Sequence, residues 1–265
     1  MKVKNLYRNY KYLKAEGLSL SQKISLVKRE RYHAFEMKFF GKTITVPDAG
    51  SFKGVYEELF VDNLYKFTPK STAPVIIDCG SNVGLSIIYF KLNYPNSKIL
   101  AYEADPDLAE ILKSNVAAFG FDGVDIHAKA IWINDEFIEF VQEGGASGMI
   151  SAVPMEGKKI NIPTVRLKTL LEQQEQVDFL KIDIEGAEYE VLKDCAGSLG
   201  AVEHIFIEYH SMHKKEQHLG DILLLLKKAG FRYHLTEAFV AEQPFVERKD
   251  MLGMDLLVNV FAYKE

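Results

Sequence analysis

The feature that most constrains this chain is Val75-Ile-Ile-Asp-Cys-Gly-Ser-Asn-Val-Gly84. An apolar run stops at Asp78, a glycine turn follows, and a helical pattern starts at Leu85. Strand, tight turn and helix make half of a nucleotide-binding βαβ unit. A second apolar run, Leu100-Ala-Tyr-Glu103, ends in an acid 25 residues after Asp78. A carboxylate at the end of the next parallel strand is placed to accept hydrogen bonds from both hydroxyls of a ribose.

The glycine spacing narrows the choice of nucleotide. A dinucleotide fingerprint from Gly80 would need glycines where Asn82 and Leu85 stand. The pattern is D-x-G-x-x-x-G, with Asp78, Gly80 and Gly84. An acid at the mouth of the turn repels a pyrophosphate but suits an amino acid's ammonium group. That combination points to S-adenosylmethionine (SAM). An ordinary βαβ crossover also uses glycines for packing, but it does not account for Glu103.

At 265 residues the chain suits one large α/β domain with an extension. The expected division is an N-terminal helical extension with a short hairpin over 1–70, packed on a SAM-binding unit over 71–265. Hydrophobic residues make up 48%, enough for a core. The net charge of −5 argues against a general nucleic-acid binder. Residues 1–40 carry ten Lys/Arg against three Asp/Glu; subtracting that +7 from the chain's −5 leaves −12 on the rest. A solvated helical face accounts for the basic arm better than a polyanion site does. Cys79 and Cys195 are too few, and too unlike in context, for a disulfide framework. With no apolar signal core and no run near the ~20 apolar residues of a spanning helix, a cytoplasmic protein without a transmembrane segment is expected. Self-association is compatible with all of this.

Residues 1–40 look helical, and Phe39 to Pro47 alternates like a hairpin. Residues 51–67 look like a helix capped by Ser51. Beyond Val75 the pattern predicts strands at 75–79, 98–103, 123–131, 178–183, 203–208, 231–237 and 255–263. Helices are expected at 84–94, 106–118, 186–198 and 216–229. The last two strands have no helical period between them, so the final strand returns antiparallel. The fold class is therefore α/β, a Rossmann-like seven-stranded sheet, mostly parallel. Extra β pieces are expected within 132–168, flanking a loop, Glu143-Gly-Gly-Ala-Ser-Gly148, placed near the mouth of the site.

Val177-Asp-Phe-Leu-Lys-Ile-Asp-Ile-Glu-Gly-Ala-Glu188 ends another strand in a dense acidic turn, and Phe206-Ile-Glu-Tyr-His210 ends the next. Ligands of open α/β sheets bind beyond the carboxyl ends of the strands. Asp78, Glu103, Asp183 and Glu208 all fall there. Glu188 reads as plain helix surface and Glu185 as a favourable charge at a helix N-terminus.

D-C-G-S-N-V-G, Y-E-A-D-P, L-K-I-D-I-E-G-A-E and I-E-Y-H, in this order over residues 75–210, resemble the FkbM family of SAM-dependent methyltransferases. The resemblance implies O-methylation of a sugar or a hydroxylated natural product. It implies that Asp78, Gly80, Ser81, Asn82 and Gly84 border the methionine part of SAM. Glu103 takes the ribose, Asp105 lies near the adenine edge, and Asp183 sits by the methyl group and acceptor. His127-Ala-Lys-Ala130 lacks the Asp that many class I enzymes place on the adenine amine, which points to a backbone contact there. The products would be the methylated acceptor and S-adenosylhomocysteine.

Asp183, Glu208 and His210 are the expected catalytic groups, with His210 as a base of near-neutral pKa. A metal-free mechanism is favoured, because the histidines lack ligand spacing; the alternative places Mg²⁺ or Mn²⁺ on Asp183, Glu208 and His210. Tyr89, Phe90, Tyr209, Phe239 and Phe245 are candidates to line an acceptor pocket, although core packing is the commoner role of such aromatics. The competing functions are a nicotinamide-dependent oxidoreductase and a SAM-binding protein without catalysis.

Overall fold

The computed structural model describes residues 2–142, 148–150, 158–213, 215–241, 243–246 and 253–265. Two helices come first, α1 (Lys2–Lys14) and α2 (Leu20–Lys28). Ser19 starts α2 with a capping box: its hydroxyl accepts from the Gln22 N–H, and the Gln22 side chain accepts from the Ser19 N–H. The helical expectation for residues 1–40 then fails, because β1 (Phe35–Phe39) pairs antiparallel with β2 (Lys42–Val46). The reason lies in period: Phe35, Met37 and Phe39 turn inward while Glu36 and Lys38 stay exposed. Phe40 and Gly41, with φ of 46° and 78°, make the tight reversal such hairpins need.

Helix α3 (Ala49–Tyr56) runs directly into a π-helical turn, Glu57–Val61. Its cap is Asp48, whose carboxylate accepts from the Ser51 N–H at 2.7 Å. Ser51 was the expected cap; Asp48 holds that place because Arg31 and the Tyr32 N–H also fix its carboxylate.

From Val75 strands and helices alternate: β3 (Val75–Cys79), α4 (Leu85–Asn93), β4 (Lys98–Glu103), α5 (Pro106–Phe119) and β5 (Val124–Ala128). The strand predicted over 123–131 divides at Lys129. Its second part, β6 (Ala130–Trp132), joins β7 (Phe137–Gln142), β8 (Gly148–Ile150) and β9 (Lys158–Arg166) in a separate four-stranded sheet. Then come α6 (Leu167–Glu172), β10 (Val177–Ile182), α7 (Glu188–Cys195), a 3₁₀ turn (Ala196–Ala201), β11 (Val202–Met212), α8 (Leu219–Lys228), β12 (Arg232–Val240) and β13 (Met254–Tyr263).

The main sheet has seven strands in the order β12-β13-β11-β10-β3-β4-β5. β13 is antiparallel to both β11 and β12, and β11, β10, β3, β4 and β5 pair in parallel. The α/β class and the antiparallel last strand are as expected. Strand β10 is buried at all six positions, as a central parallel strand covered on both faces must be. Successive residues of β3 feed opposite cores: Ile76 packs with Phe179 and Phe206, and Ile77 with Leu180 and Ile207. The N-terminal elements complete the first core, with Phe39, Tyr56 and Leu59 in the cluster that holds Ile76 and Tyr89. Cys79 and Cys195 are buried and unpaired. Among the described residues no helix is long and apolar enough to cross a membrane.

Candidate active site

The turn after β3 is shaped by what cannot fit. Gly80 has φ 88°, and a Cβ there would lie 1.8 Å from the Asp183 carbonyl oxygen. Gly84 has φ 91°, and its Cβ would meet Leu112 at 2.7 Å. Both positions therefore require glycine. Asn82 takes φ 48°, which asparagine tolerates, and its Oδ1 accepts from the Val83 N–H at 2.8 Å. Ser81 is buried and donates its hydroxyl to the Asp78 carbonyl at 3.1 Å.

Glu103 braces this turn. Oε2 accepts from the Asn82 N–H at 2.7 Å and Oε1 from the Asp105 N–H at 2.9 Å. Burial outweighs these bonds and pushes its pKa up to about 7. Asp105 caps α5 through the N–H groups of Asp107 and Leu108. Beside them the His127 ring stacks on Tyr102, with centroids 4.9 Å apart.

Asp78 lies beneath the turn rather than at its mouth, with no exposed surface. Oδ2 accepts from the Ser86 hydroxyl at 2.5 Å, and Oδ1 lies 3.5 Å from Lys181 Nζ. The ammonium group that faces Asp78 in this structure is that of Lys181. Parallel register sets Lys181 of β10 opposite Asp78 of β3. Lys181 Nζ also donates to the Gly80 carbonyl at 2.5 Å and lies 3.1 Å from Asp183 Oδ2. Burial works against the charged lysine, but Asp183 and Asp78 outweigh it and raise its pKa well above the ordinary value. For Asp183 burial acts upward, and Lys181 and His210 turn the net shift downward.

The turn after β10 carries the acids. Glu185 and Gly186 have φ of 53° and 95°, so the chain reverses sharply into α7. Glu188 is not helix surface: it is 1% exposed. Its Oε1 accepts from the Gly186 N–H at 2.9 Å and meets His210 Nδ1 at 2.9 Å. Its partners sit at the helix entrance and on β11, so periodicity along α7 alone hides the role. His210 Nε2 faces Glu185 Oε2 at 3.3 Å, Glu208 Oε2 at 3.8 Å and Asp183 Oδ1 at 4.0 Å.

Burial would lower the His210 pKa, but Glu188, Glu185 and Asp183 together raise it well above its ordinary value. These carboxylates favour a charged ring, and a ligand or cation that takes up their charge would return it to the neutral form. Burial and the Asp183 charge push Glu208 well up, and the two carboxyl groups share a hydrogen bond. Glu58, from the π-helical turn, is raised to about 7 by burial and by Asp183. It belongs to this charge cluster, and no motif in the sequence points to it.

The four acids thus stand on the adjacent strands β11, β10, β3 and β4: Asp183, Asp78 and Glu103 at the strand ends, and Glu208 within β11, which runs on to Met212 and not to 208 as expected. Asp183, Glu185 and His210 each offer a ligand atom, all within 4.8 Å of one another. A cavity of about 370 Å³ opens beside His210, lined by Trp132, Glu185, Tyr189, Tyr209 and His218 among others. Of the aromatic candidates only Tyr209 lines it. Tyr89 and Phe90 are core residues, Phe239 is half-buried on β12, and Phe245 is exposed. In the loop expected at the site mouth, residues 143–147 lie outside the described residues.

A family model described as a methyltransferase FkbM domain matches residues 78–233. Methyltransferase sdnD of Sordaria araneosa is 29% identical over 173 residues, 52% of this chain and 67% of that protein. The 31-O-demethyl-FK506 methyltransferase FkbM of Streptomyces tacrolimicus is 24% identical over 229 residues, 72% of this chain and 86% of that protein. A crystal structure of a methyltransferase FkbM from Methylobacillus flagellatus KT superposes with a TM-score of 0.50 at 15% identity. It covers 77% of this chain, which spans 46% of that one. At that identity the likeness is one of fold.

Proposed function

The chain belongs to the FkbM family of methyltransferases, and on that premise we propose that it transfers a methyl group from SAM to a hydroxyl of a sugar or other hydroxylated small molecule. The observation that carries this is the row of acids on adjacent strands: Asp183, Asp78 and Glu103 at the carboxyl ends of β10, β3 and β4, and Glu208 within β11, just past its last pairing with β10. A cofactor lying across β4 and β3 meets an acceptor lying against β10 and β11 at the shared edge, Asp183.

In this proposal Gly80, Ser81, Asn82 and Gly84 form the bed of SAM, and Asp78 shapes that bed from below through Ser86 and Lys181. Glu103 takes the ribose hydroxyls. Asp105 fixes the start of α5 beside the adenine. The acceptor enters the cavity beside His210, where Trp132, Tyr189 and Tyr209 offer faces for a sugar ring and the carboxylates offer acceptors for its hydroxyls. The acceptor oxygen attacks the methyl carbon, the carbon–sulfur bond breaks, and its electron pair stays on sulfur, leaving S-adenosylhomocysteine. Asp183, Glu208 and His210 orient the hydroxyl and draw its proton away as the new bond forms. Residues 1–70 act as an extension packed on the 71–265 unit, to which they lend Glu58. Two unpaired buried cysteines fit a cytoplasmic setting.

Calorimetry with SAM, S-adenosylhomocysteine and NAD tests the cofactor. The first two should bind and NAD should not. NAD binding without a response to SAM would return the oxidoreductase alternative. A screen of sugars and hydroxylated metabolites with methyl-labelled SAM then tests transfer. SAM binding with no acceptor labelled across such a screen would favour a non-catalytic SAM-binding protein.

A further inference from the structure

We infer that Asp183, Glu185 and His210 form a divalent-cation site of the Mn²⁺ class at which the acceptor hydroxyl is held. Its purpose rests on the methyltransferase proposal, and its geometry does not. The three ligand atoms come from the end of β10, the turn that follows it and β11, and lie within 4.8 Å of one another.

The histidine gives independent support. Its side chain is 3% exposed. Nδ1 faces two acceptors, Glu188 Oε1 at 2.9 Å and the Glu208 carbonyl at 3.1 Å, so the ring hydrogen belongs there. The neutral ring then presents its lone pair at Nε2. That nitrogen makes no hydrogen bond among the described residues and is aimed at carboxylate oxygens 3.3, 3.8 and 4.0 Å away. Around a cation with ligands at ~2.1 Å, neighbouring ligand atoms of an octahedron stand about 3.0 Å apart and opposite ones about 4.2 Å. The three separations from Nε2 fall between those limits, and the carboxylate oxygens stand within 4.8 Å of one another, slightly wider than a filled octahedron needs.

The surroundings also match a built site. A histidine ligand is ordinarily held by a carboxylate on its other nitrogen, and buried Glu188 does this for His210. Asp183 divides its oxygens: Oδ2 lies against Lys181 at 3.1 Å, and Oδ1 is the oxygen nearest His210 Nε2. Glu208 Oε2 supplies a fourth oxygen nearby. One imidazole among carboxylates suits Mn²⁺ better than a thiol-seeking metal, and both cysteines are buried in the core.

Three protein ligands leave coordination positions for the acceptor oxygen. Bound there, the hydroxyl gives up its proton more readily, and the Glu208 carboxylate beside the site takes it. The oxygen then forms its bond to the methyl carbon as the carbon–sulfur pair withdraws to sulfur.

The test is Mn²⁺ titrated into EDTA-stripped full-length protein, with free Mn²⁺ followed by electron paramagnetic resonance. One Mn²⁺ per chain is expected. Glu185→Gln, on a partly exposed side chain, should weaken binding by at least about tenfold while leaving SAM affinity in calorimetry unchanged. His210→Ala should do the same, and circular dichroism checks that it folds. No Mn²⁺ uptake by wild type that still binds SAM overturns the site. So does wild-type Mn²⁺ affinity in both variants. Loss of SAM binding by the wild type would instead strike the methyltransferase proposal.

Discussion

In the turn after β3, both oxygens of Glu103 are occupied by backbone N–H groups, at 2.7 and 2.9 Å. In the turn after β10, His210 Nε2 has three carboxylates around it and a hydrogen bond to none. The two turns touch: Gly80 of the first lies against the Asp183 carbonyl of the second. Both depend on acids, but Glu103 is spent on holding backbone, whereas the acids of the second turn gather around one imidazole nitrogen. A binding surface gains from groups fixed before the ligand arrives. A reactive site gains from charge directed at one point, which something else must balance.

Lys181 is the joint between them, and its loss should have the largest effect. It lies between Asp78 and Asp183, with a side chain 4% exposed. Lys181→Met leaves both carboxylates without their cation, and breaking such a buried pair costs about 3–5 kcal/mol. Urea unfolding should show that loss. Adding Asp78→Asn should recover part of it, since the second change removes the stranded charge. Strictly additive losses in the double variant would mean that the joint does not exist.

Gly80→Ala comes next. The new methyl would meet the Asp183 carbonyl 1.8 Å away at a φ of 88°. Left-handed strain and overpacking together should cost about 2–4 kcal/mol. SAM affinity in calorimetry should fall with it, because the two turns must separate. Gly120→Ala, at φ 67° with no atom within 4 Å of the added Cβ, carries the strain without the clash. Equal losses in the two variants would remove the contact as the cause.

The helix–strand order from Val75 onward was legible because period and turn chemistry agree there. The sheet's carboxyl edge was legible too, since four apolar runs end in acids. What was missed shares one physical cause: the deciding partner is distant in sequence. Glu188 reads as surface until His210, 22 positions away on another strand, stands against it. Lys181 sits inside a quoted motif, but only parallel register reveals its place opposite Asp78. Glu58 reaches the cluster through a π-helical turn, a local irregularity that no apolar stripe announces. Phe35–Phe39 alternates, yet its alternation was lost between two helical segments of mixed charge.

Glu103→Ala ranks third and revises what the sequence alone would suggest. A residue that only met a ligand would leave the free protein's melting temperature unchanged. Here the substitution strands the N–H groups of Asn82 and Asp105, a loss of about 1–3 kcal/mol. A thermal melt without ligand should show it, and SAM affinity should drop at least about tenfold, the equivalent of one charge-assisted bond. A melting temperature equal to wild type would show that the turn does not depend on this brace.

The smallest effect is a pH dependence in the same residue. The Glu103 pKa is raised to about 7, first by burial and to a lesser degree by Asp105, against the pull of its two N–H partners and Lys181. In the unfolded chain the group titrates near the ordinary glutamate value. Between those values the folded state holds the extra proton. Its contribution to stability is therefore full below the unfolded value and lost as pH rises through about 7. Glu103→Gln should flatten that decline, seen as a stability difference from wild type that narrows with rising pH. SAM acts in the opposite direction, since ribose hydroxyls donate to the ionised carboxylate. Its affinity should therefore rise with pH, by at most about tenfold from pH 6 to pH 8. Calorimetry at pH 6.5 in two buffers of different ionisation enthalpy should then show proton release on binding by the wild type and none by Glu103→Gln. Proton uptake, or release by both proteins, would place the titrating group in the turn after β10, and Glu103 would no longer mark the satisfied side of the comparison.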